Sequence, residues 1–314
     1  MAIPAKKTSV VKKPGNNWLK FWGVRGSIPT PGPGTVRYGG NTSCIEVRAD
    51  GEIIILDGGT GLRLLGKQLN SEFAERPLEL TLLLTHTHWD HIQGLPFFLP
   101  VYQTQNHLRI VGYEGAKHGL GSVLTGQMES PFFPIGLREV PANVEIVEMK
   151  GLSFQIGKVR VEACLANHPG VCMGYRLFTS SGSVAFFPDN EPHFGHLHTD
   201  VGSGMGDTTR VEYARNEDKK ILAFLKDVDV LIMDSQYDCD EYKKHRGWGH
   251  ACLDQTVDFA LQAQVRRLFL FHHDPEHDDA KVDEMLAHAR KLVAQKKGDL
   301  RVDAAREGLA IDIG

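Results

Sequence analysis

The chain has 314 residues, of which 41% are hydrophobic and 24% are charged, and its net charge is −4 at pH 7. This length is enough for one large domain with a substantial core, or for two ordinary domains. A negative net charge gives no support for a broad electrostatic grip on nucleic-acid phosphates, so we expect small ligands rather than polymers. The first seventeen residues carry four lysines but no secretory h-region, and no later segment reaches the length of a membrane span. We therefore predict a soluble cytoplasmic protein without a membrane partner.

Short runs of β-type residues dominate the first half of the chain. The run EIIILD is continuously apolar, which indicates a strand covered on both faces, whereas SCIEVRA alternates with a period of two. The pattern predicts helices at 61–70 and 123–128, and strands at 19–24, 43–49, 52–57, 78–84, 107–113, 152–157 and 159–166. Residues 1–18 precede this pattern and are interpreted as a flexible tail.

The second half repeats the alternation of strands and helices. It predicts strands at 175–179, 183–189, 229–234 and 266–273, and helices at 219–227, 253–263 and 279–295. Because no internal repeat or interdomain linker is evident, residues 19–314 are expected to form one domain. Strands throughout with interspersed helices predict an α/β fold in which two sheets pack face to face with helices outside.

The five cysteines form an odd set without a CxxC pair. This pattern is typical of a reducing compartment and argues against a cysteine zinc site. We expect core or neutral loop positions for Cys44, Cys164, Cys172, Cys239 and Cys252.

Three histidines and an aspartate follow the predicted strand at 78–84 within six positions, in the sequence HTHWDH. In an extended turn, residues two apart face the same way, so His86 and His88 can chelate one metal ion. Asp90 and His91 lie beyond the bend and can face a second ion. A histidine-rich surface loop is the alternative, but such loops do not usually follow a buried strand with chelating spacing.

Three later strand ends also carry a polar residue where a site can be held rigidly. His168 follows VEACLAN, Asp189 follows SVAFFP, and His272 follows RRLFLF. A single histidine at the end of a strand is more often structural. Polar residues at the ends of three strands favour a site that they share.

The motifs HTHWDH, ANHP, FFPDN and LFLFHHDP resemble those of the metallo-β-lactamase superfamily, and the resemblance covers residues 19–314. It implies an αββα sandwich of two mixed β-sheets flanked by helices, with two divalent metal ions between the sheets. It implies His86, His88 and His168 on the first metal, Asp90, His91 and His272 on the second, and Asp189 bridging both. His273 competes for the last position, and His272 is preferred because the family's histidine directly follows the strand.

Within that superfamily the chain most resembles the phosphodiesterase branch, which includes ribonuclease Z, the carbon–phosphorus-lyase-associated phosphodiesterase and bacterial cyclic nucleotide phosphodiesterases. The segments GSIPTPGPGTVRYGGNTSC and DGGTGLRLLG resemble its N-terminal loop and following turn. DVLIMDSQY and GWGHACLDQTVDFA resemble the segment where ribonuclease Z places an acidic residue and a catalytic histidine, which correspond to Asp234 and His250. Ribonuclease Z usually has glutamate and then histidine-serine-threonine there, whereas this chain has Asp234 and Ala251-Cys252, and a tRNA-binding arm is not recognisable.

Phosphodiester hydrolysis requires a nucleophile at neutral pH, neutralisation of phosphate charge and help for the leaving alkoxide. Two divalent ions roughly 3.5–4 Å apart supply the first two. A histidine-rich ligand set suits Zn²⁺, with Mn²⁺ or Fe²⁺ as alternatives. We expect His250 to protonate or stabilise the leaving oxygen and Asp234 to orient it, unless His250 is merely structural. Asp90, Asp234 and His250 are the predicted catalytic residues.

The predicted substrate is a small nucleotide phosphodiester, first a 3′,5′-cyclic nucleotide, attacked by a metal-bridged hydroxide. Precursor tRNA would require several phosphate contacts, and the largest internal basic cluster is the short KKHR turn at 243–246. Base stacking by Tyr113, Phe132, Phe133 or Trp248 is open, since these aromatics are equally suited to a core. No stable nucleic-acid partner is expected, and a homodimer is left open.

Two other classes of function remain alternatives, besides a ribonuclease Z-like endoribonuclease. A thioester or lactone hydrolase would use the same metals but would not need Asp234 and His250. A redox role is disfavoured, because redox versions of the fold usually have glutamate among the first ligands and attach a flavin domain, and this sequence shows neither. A binding-only role is disfavoured, because such a protein would be expected to have lost metal ligands and none is missing here.

Three more features have two readings each. Asp57, after EIIILD, is our candidate partner for a ligating imidazole, or else a turn aspartate. The segment PHFGHLH contains His193, His196 and His198, for which we favour an exposed or pocket-lining loop over a metal site. The KKHR turn either contacts substrate phosphate or is a solvated basic turn.

Overall fold

The computed structural model describes residues 16–113, 119–193 and 207–314. Its strands are β1 (Trp18–Gly23), β2 (Cys44–Ala49), β3 (Glu52–Leu56), β4 (Glu79–Leu83), β5 (His107–Gly112), β6 (Asn143–Glu148), β7 (Ser153–Ile156), β8 (Val159–Leu165), β9 (Met173–Thr179), β10 (Gly182–Phe187), β11 (Val230–Asp234), β12 (Arg267–Phe271), β13 (Arg301–Ala304) and β14 (Ala310–Asp312). Its helices are α1 (Gly61–Phe73), α2 (Trp89–Ile92), α3 (Leu120–Gln127), α4 (Asp207–Leu225), α5 (Cys239–His245), α6 (Leu253–Gln262) and α7 (Asp279–Gln295). Within these described ranges no helix is both long enough and apolar enough to cross a membrane.

The described strands form two sheets of seven, in the orders β14-β1-β2-β3-β4-β5-β6 and β13-β12-β11-β10-β9-β8-β7. The first half of the chain builds the first sheet and the second half builds the other, except that β14 returns to pair with β1. A large apolar core lies between the sheets, and a separate core lies between each sheet and its helices. The predicted αββα sandwich of two mixed sheets is confirmed.

Strand β3 shows why its sequence is apolar without interruption. Ile54 and Leu56 point into the core between the sheets, whereas Ile55 points outward and packs in the cluster that contains Leu62 and Leu65 of α1. Successive side chains of a strand face opposite sides, so a strand covered on both faces needs apolar residues at every position. The prediction that β3 is covered on both faces is confirmed.

Parallel pairing brings the polar strand ends to one place. Strands β3 to β6 run parallel to one another, as do β10 to β13. Strand β8 points the same way as β10, because both are antiparallel to β9. The loops that follow these strands therefore lie together at the carboxyl-terminal end of each sheet. Binding sites usually form at this end in parallel sheets.

Most of the predicted elements are present, with differences at short segments. The sequence pattern missed the short helices α2 and α5 and the strands β6, β13 and β14, of which the last two follow α7. Strands β13 and β14 have four and three residues, which are too few to show a period locally, whereas β6 has six residues whose sequence NVEIVE alternates and could have been recognised. Strand β1 begins at Trp18, one residue before the predicted domain start, and residues 1–15 of the predicted tail lie outside the described residues.

Candidate metal centre

The carboxylate of Asp189 lies between two groups of histidines. Its Oδ1 is 3.2 Å from Nε2 of His91 and 3.4 Å from Nε2 of His272. Its Oδ2 is 3.7 Å from Nε2 of His86 and 3.6 Å from Nε2 of His168. Each oxygen therefore faces a different group, which is the arrangement expected of a carboxylate that bridges two cations.

The group on the Oδ2 side contains His86, His88 and His168, whose candidate ligand atoms lie within 4.8 Å of one another. Nδ1 of His88 is 3.0 Å from Nε2 of His168. His86 is buried, whereas His88 is exposed. This half of the centre therefore opens toward solvent, which gives a ligand a route of entry.

The group on the Oδ1 side contains Asp90, His91 and His272, all of them buried. Oδ2 of Asp90 lies 3.1 Å from Nε2 of His91 and 3.2 Å from Nε2 of His272. The structure thus brings together all seven residues named from the sequence as ligands: His86, His88, Asp90, His91, His168, Asp189 and His272.

The donor set fits divalent cations. Among the described residues, the buried side-chain atoms without a well-aligned hydrogen bond include Nε2 of His86, Nε2 of His91 and Oδ1 of Asp189, the last two of which lie 3.2 Å apart. Buried polar atoms are normally paired, because desolvation without a partner costs roughly 1–3 kcal/mol each. Three such atoms directed at one small volume are explained by cations that bind them.

The outer nitrogen of His91 is held by a buried aspartate. Nδ1 of His91 lies 2.7 Å from Oδ2 of Asp57. The other oxygen of Asp57 accepts from the backbone N–H of Thr85 at 2.9 Å, and Ser43 Oγ donates to Oδ2 at 3.0 Å. Asp57 thus orients the ring so that Nε2 faces the centre, which is the arrangement described for imidazole ligands of metals.

Three further contacts orient ligands, and sequence reasoning had not identified them. Oε1 of Gln236 lies 2.9 Å from Nδ1 of His272, and the carbonyl oxygen of Gly249 lies 2.9 Å from Nδ1 of His168. The backbone N–H of Ser27 donates to Oδ2 of Asp90 at 2.8 Å. Two of these contacts use backbone atoms, so no residue type could have signalled them.

The two adjacent histidines after β12 have different surroundings. His272 takes a positive φ of 61° and turns its ring into the cluster. Nε2 of His273 instead lies 2.9 Å from the carbonyl oxygen of Ala305, and its ring packs edge-on against Tyr38. The structure therefore places His272, and not His273, among the candidate ligands.

The pKa values of the clustered side chains follow from burial and charge pairing. Burial opposes ionisation of Asp189, but the imidazoles of His272 and His91 hold the pKa of its carboxyl well below the usual value. Burial likewise lowers the pKa of His272, but Asp189 and Asp90 outweigh it and raise the pKa to about 9. Burial lowers the pKa of His86 well below 6.5. His86 is therefore ready to bind a cation as a neutral imidazole, whereas His272 must first lose a proton.

His250 and Asp234 lie beside this cluster as a pair. Nδ1 of His250 is 2.8 Å from Oδ2 of Asp234 and 4.0 Å from Oδ2 of Asp189. The ring of His250 stacks on His272 with 4.8 Å between centroids. Asp234 also accepts from the backbone N–H of Asn190 at 3.1 Å. A fixed imidazole thus borders the candidate metal positions while its other nitrogen remains available for proton transfer.

The other predicted features lie apart from this centre or at its edge. His193 contacts Asp218 of α4, with 3.2 Å between Nδ1 and Oδ1, and His196 and His198 lie outside the described residues. The KKHR segment, predicted as a turn, instead begins with the last residues of helix α5, where Nζ of Lys243 pairs with Asp240 at 2.7 Å. Sγ of Cys172 lies 3.6 Å from Nδ1 of His86, but burial raises the pKa of this thiol well above its usual value, which keeps it neutral.

Comparisons with known proteins agree with the fold. A family model described as "Beta-lactamase superfamily domain" matches residues 54–203. Ribonuclease Z of Picrophilus torridus is 25% identical in an alignment of 288 positions that covers 83% of this chain and 87% of that protein. The metallo-beta-lactamase fold protein YhfI from Bacillus subtilis is 16% identical, with a TM-score of 0.64 over 94% of this chain and 98% of its own. Unliganded yeast PDE1 is also 16% identical, with a TM-score of 0.62 over 94% of this chain and 98% of its own. At these identities the structural likeness shows the fold alone.

Proposed function

We propose that this chain, which belongs to the metallo-β-lactamase superfamily, is a binuclear metal-dependent phosphodiesterase whose substrate is a small nucleotide, first a 3′,5′-cyclic nucleotide. The observation that carries the proposal is the Asp234–His250 pair placed against a cluster in which Asp189 faces two ligand groups. A thioester or lactone has no need of such a pair, whereas a phosphodiester with a poor leaving group does.

In this proposal His86, His88 and His168 would hold one cation, Asp90, His91 and His272 would hold the other, and Asp189 would be a ligand to both. We propose Zn²⁺, because an imidazole-rich set with carboxylates suits it, with Mn²⁺ or Fe²⁺ as alternatives. Two such ions would acidify a water molecule and neutralise the charge of the phosphodiester.

The protein's own groups then handle the leaving oxygen. Asp234 accepts a hydrogen bond from Nδ1 of His250 and orients the imidazole, so that Nε2 can donate a proton to the departing alkoxide. Asp90 contacts both His91 and His272 and so keeps the two rings in their relative positions. The backbone N–H of Ser27 donates a hydrogen bond to Asp90 and orients its carboxylate. These contacts keep the reacting groups in place before substrate binds.

A nucleoside base would find an aromatic surface near His250. Trp248 lies two residues before His250 and is 60% exposed. Its ring packs edge-on against His245 at 4.7 Å, and His245 stacks on the ring of Tyr237 at 4.6 Å. An exposed but supported indole suits base stacking, which favours a nucleotide over a phosphodiester without a base.

A ribonuclease Z-like endoribonuclease is the second candidate, because the relative from Picrophilus torridus carries that name. Against it, the net charge of the chain is −4, and Lys243 of the short basic turn is already paired with Asp240. Holding precursor tRNA by many phosphates needs more free positive charge than this turn supplies.

Direct competition between a 3′,5′-cyclic nucleotide and a precursor tRNA at moderate salt decides between them. Release of nucleoside monophosphate and cleavage of the tRNA are followed in the same reaction. We expect monophosphate release to dominate. Efficient tRNA cleavage with untouched cyclic nucleotide would reverse the ranking, and hydrolysis of a thioester alone would refute the phosphodiesterase proposal.

A further inference from the structure

Glu191 is a buried glutamate whose carboxylate faces the backbone of the segment before His250. Its Oε1 accepts from the Tyr242 hydroxyl at 2.7 Å, and both oxygens accept from the backbone N–H of Gly247 at 3.0 Å. Its Oε2 also accepts from the backbone N–H of Gly249 at 3.0 Å. Three donors from one segment therefore converge on one side chain that is 2% exposed.

The segment held by Glu191 touches two groups of the candidate centre. The carbonyl oxygen of Gly249 contacts Nδ1 of His168 at 2.9 Å, and the next residue is His250. Gly249 has a φ of +88°, and a Cβ placed there would lie 2.4 Å from Nδ1 of His168. The backbone thus passes very close to His168. A small shift of Gly249 would move the carbonyl oxygen that contacts the ring of His168, and it would also move the backbone to which His250 is attached.

Glu191 is also linked to the centre through its own backbone and that of the two residues before it. It follows Asp189 and Asn190 directly, and the backbone N–H of Asn190 donates to Asp234. The backbone N–H of Glu191 donates to the carbonyl oxygen of Asn167 at 2.8 Å, one residue before His168. Three consecutive residues thus have three linked contacts. Asp189 lies in the cluster, Asn190 donates to Asp234, and Glu191 holds the segment that precedes His250.

We propose that Glu191 is a positioning residue that fixes the 247–249 backbone, so that His168 keeps its orientation and His250 keeps its place beside the cations. This role rests on the proposed function. A carboxylate can accept from all three donors at once, whereas a carboxamide has one acceptor oxygen and would turn an NH₂ group toward one of them.

The test compares Glu191→Gln with Glu46→Gln. Glu46 of β2 is a matched control, because it is also a buried glutamate. It accepts a hydrogen bond from Nε1 of Trp22 at 2.9 Å. Hydrogen exchange of the backbone amides in 246–250 is measured by mass spectrometry, together with metal content and melting temperature. Rates are measured on a cyclic nucleotide, which has a poor leaving group, and on bis(p-nitrophenyl) phosphate, which has a good one.

For Glu191→Gln we expect faster exchange in 246–250 and a loss of about 10- to 100-fold on the poor leaving group, the range seen for residues that orient metal ligands. The loss on the good leaving group should be clearly smaller. Glu46→Gln should lower the melting temperature without changing exchange in 246–250 or the ratio of the two rates.

Unchanged exchange in Glu191→Gln would overturn the anchoring role. Faster exchange with equal losses on both substrates would overturn the link to His250. If the wild-type protein hydrolyses no phosphodiester, the proposed function fails on its own, and the exchange comparison still decides whether Glu191 holds this segment.

Discussion

Nδ1 of His250 lies 2.8 Å from Oδ2 of Asp234, and this contact fixes which nitrogen can transfer a proton. If His250 assists the leaving oxygen, His250→Ala should keep its metals and lose roughly 10²–10⁴-fold in rate on poor leaving groups. The loss on p-nitrophenyl esters should be smaller, because p-nitrophenolate needs little protonation. Equal losses on both substrate types would mean that His250 positions substrate or supports the fold.

Removal of the proposed bridging carboxylate should affect both proposed cation positions. Because each oxygen of Asp189 faces a different group of histidines, Asp189→Ala should lower metal content at both positions and abolish turnover. Elemental analysis and circular dichroism of the purified variant measure metal content and folding. A variant with two ions per chain and normal activity would exclude Asp189 from the centre.

The neighbouring histidines after β12 supply their own matched control. His272→Ala should lose the cation on the Asp90 side and with it the activity, because Nε2 of His272 lies 3.2 Å from Asp90. His273→Ala should keep metal and activity and lose only stability, since His273 contacts Ala305 and Tyr38 instead. Metal content and melting temperature of the two variants separate these effects, and the reverse pattern would make His273 the ligand.

Metal affinity should rise with pH. Despite its burial, Asp189 and Asp90 raise the pKa of His272 to about 9, above the usual value of 6.5, so its imidazole holds a proton at neutral pH that a cation must displace. Apparent affinity should therefore increase up to about pH 9 and then level off. The same proton stabilises the metal-free fold below about pH 6.5, and this contribution is lost as the pH rises through about 9.

Calorimetric titration with Zn²⁺ in buffers of different ionisation enthalpy measures the protons released. At least one proton per chain is expected at pH 7. Binding without proton release, or with an affinity independent of pH, would contradict the protonated state of His272.

Loss of the exposed indole should weaken nucleotide binding more than chemistry. Trp248 is 60% exposed, and stacking of a base on an aromatic ring contributes roughly 1–3 kcal/mol. Trp248→Ala should therefore raise KM for a cyclic nucleotide about tenfold while kcat changes little. KM for a phosphodiester without a base should stay constant, and a similar increase for both substrates would exclude base recognition by this residue.

The sequence by itself determined the strands that carry the site and most of the side chains in it. Apolar runs such as EIIILD and RRLFLF predict buried strands because burial imposes its pattern residue by residue, and the polar residue at each strand end is visible without a structure. Resemblance of short motifs to a known superfamily supplied the roles, including the pairing of Asp234 with His250. These features are local in sequence, so they can be read from sequence.

Only the tertiary structure decided the contacts between distant segments. Glu191 and Gln236 are single polar residues in loops, and nothing near them in sequence indicates that they hold Gly249 and His272. The choice between His272 and His273 depends on a backbone turn and on partners more than thirty residues away. Strand β14 has three residues, too few to show a period, and it forms because β1 offers it an edge to pair with. Each of these outcomes depends on which segments meet across the fold, and local periodicity carries no information about that.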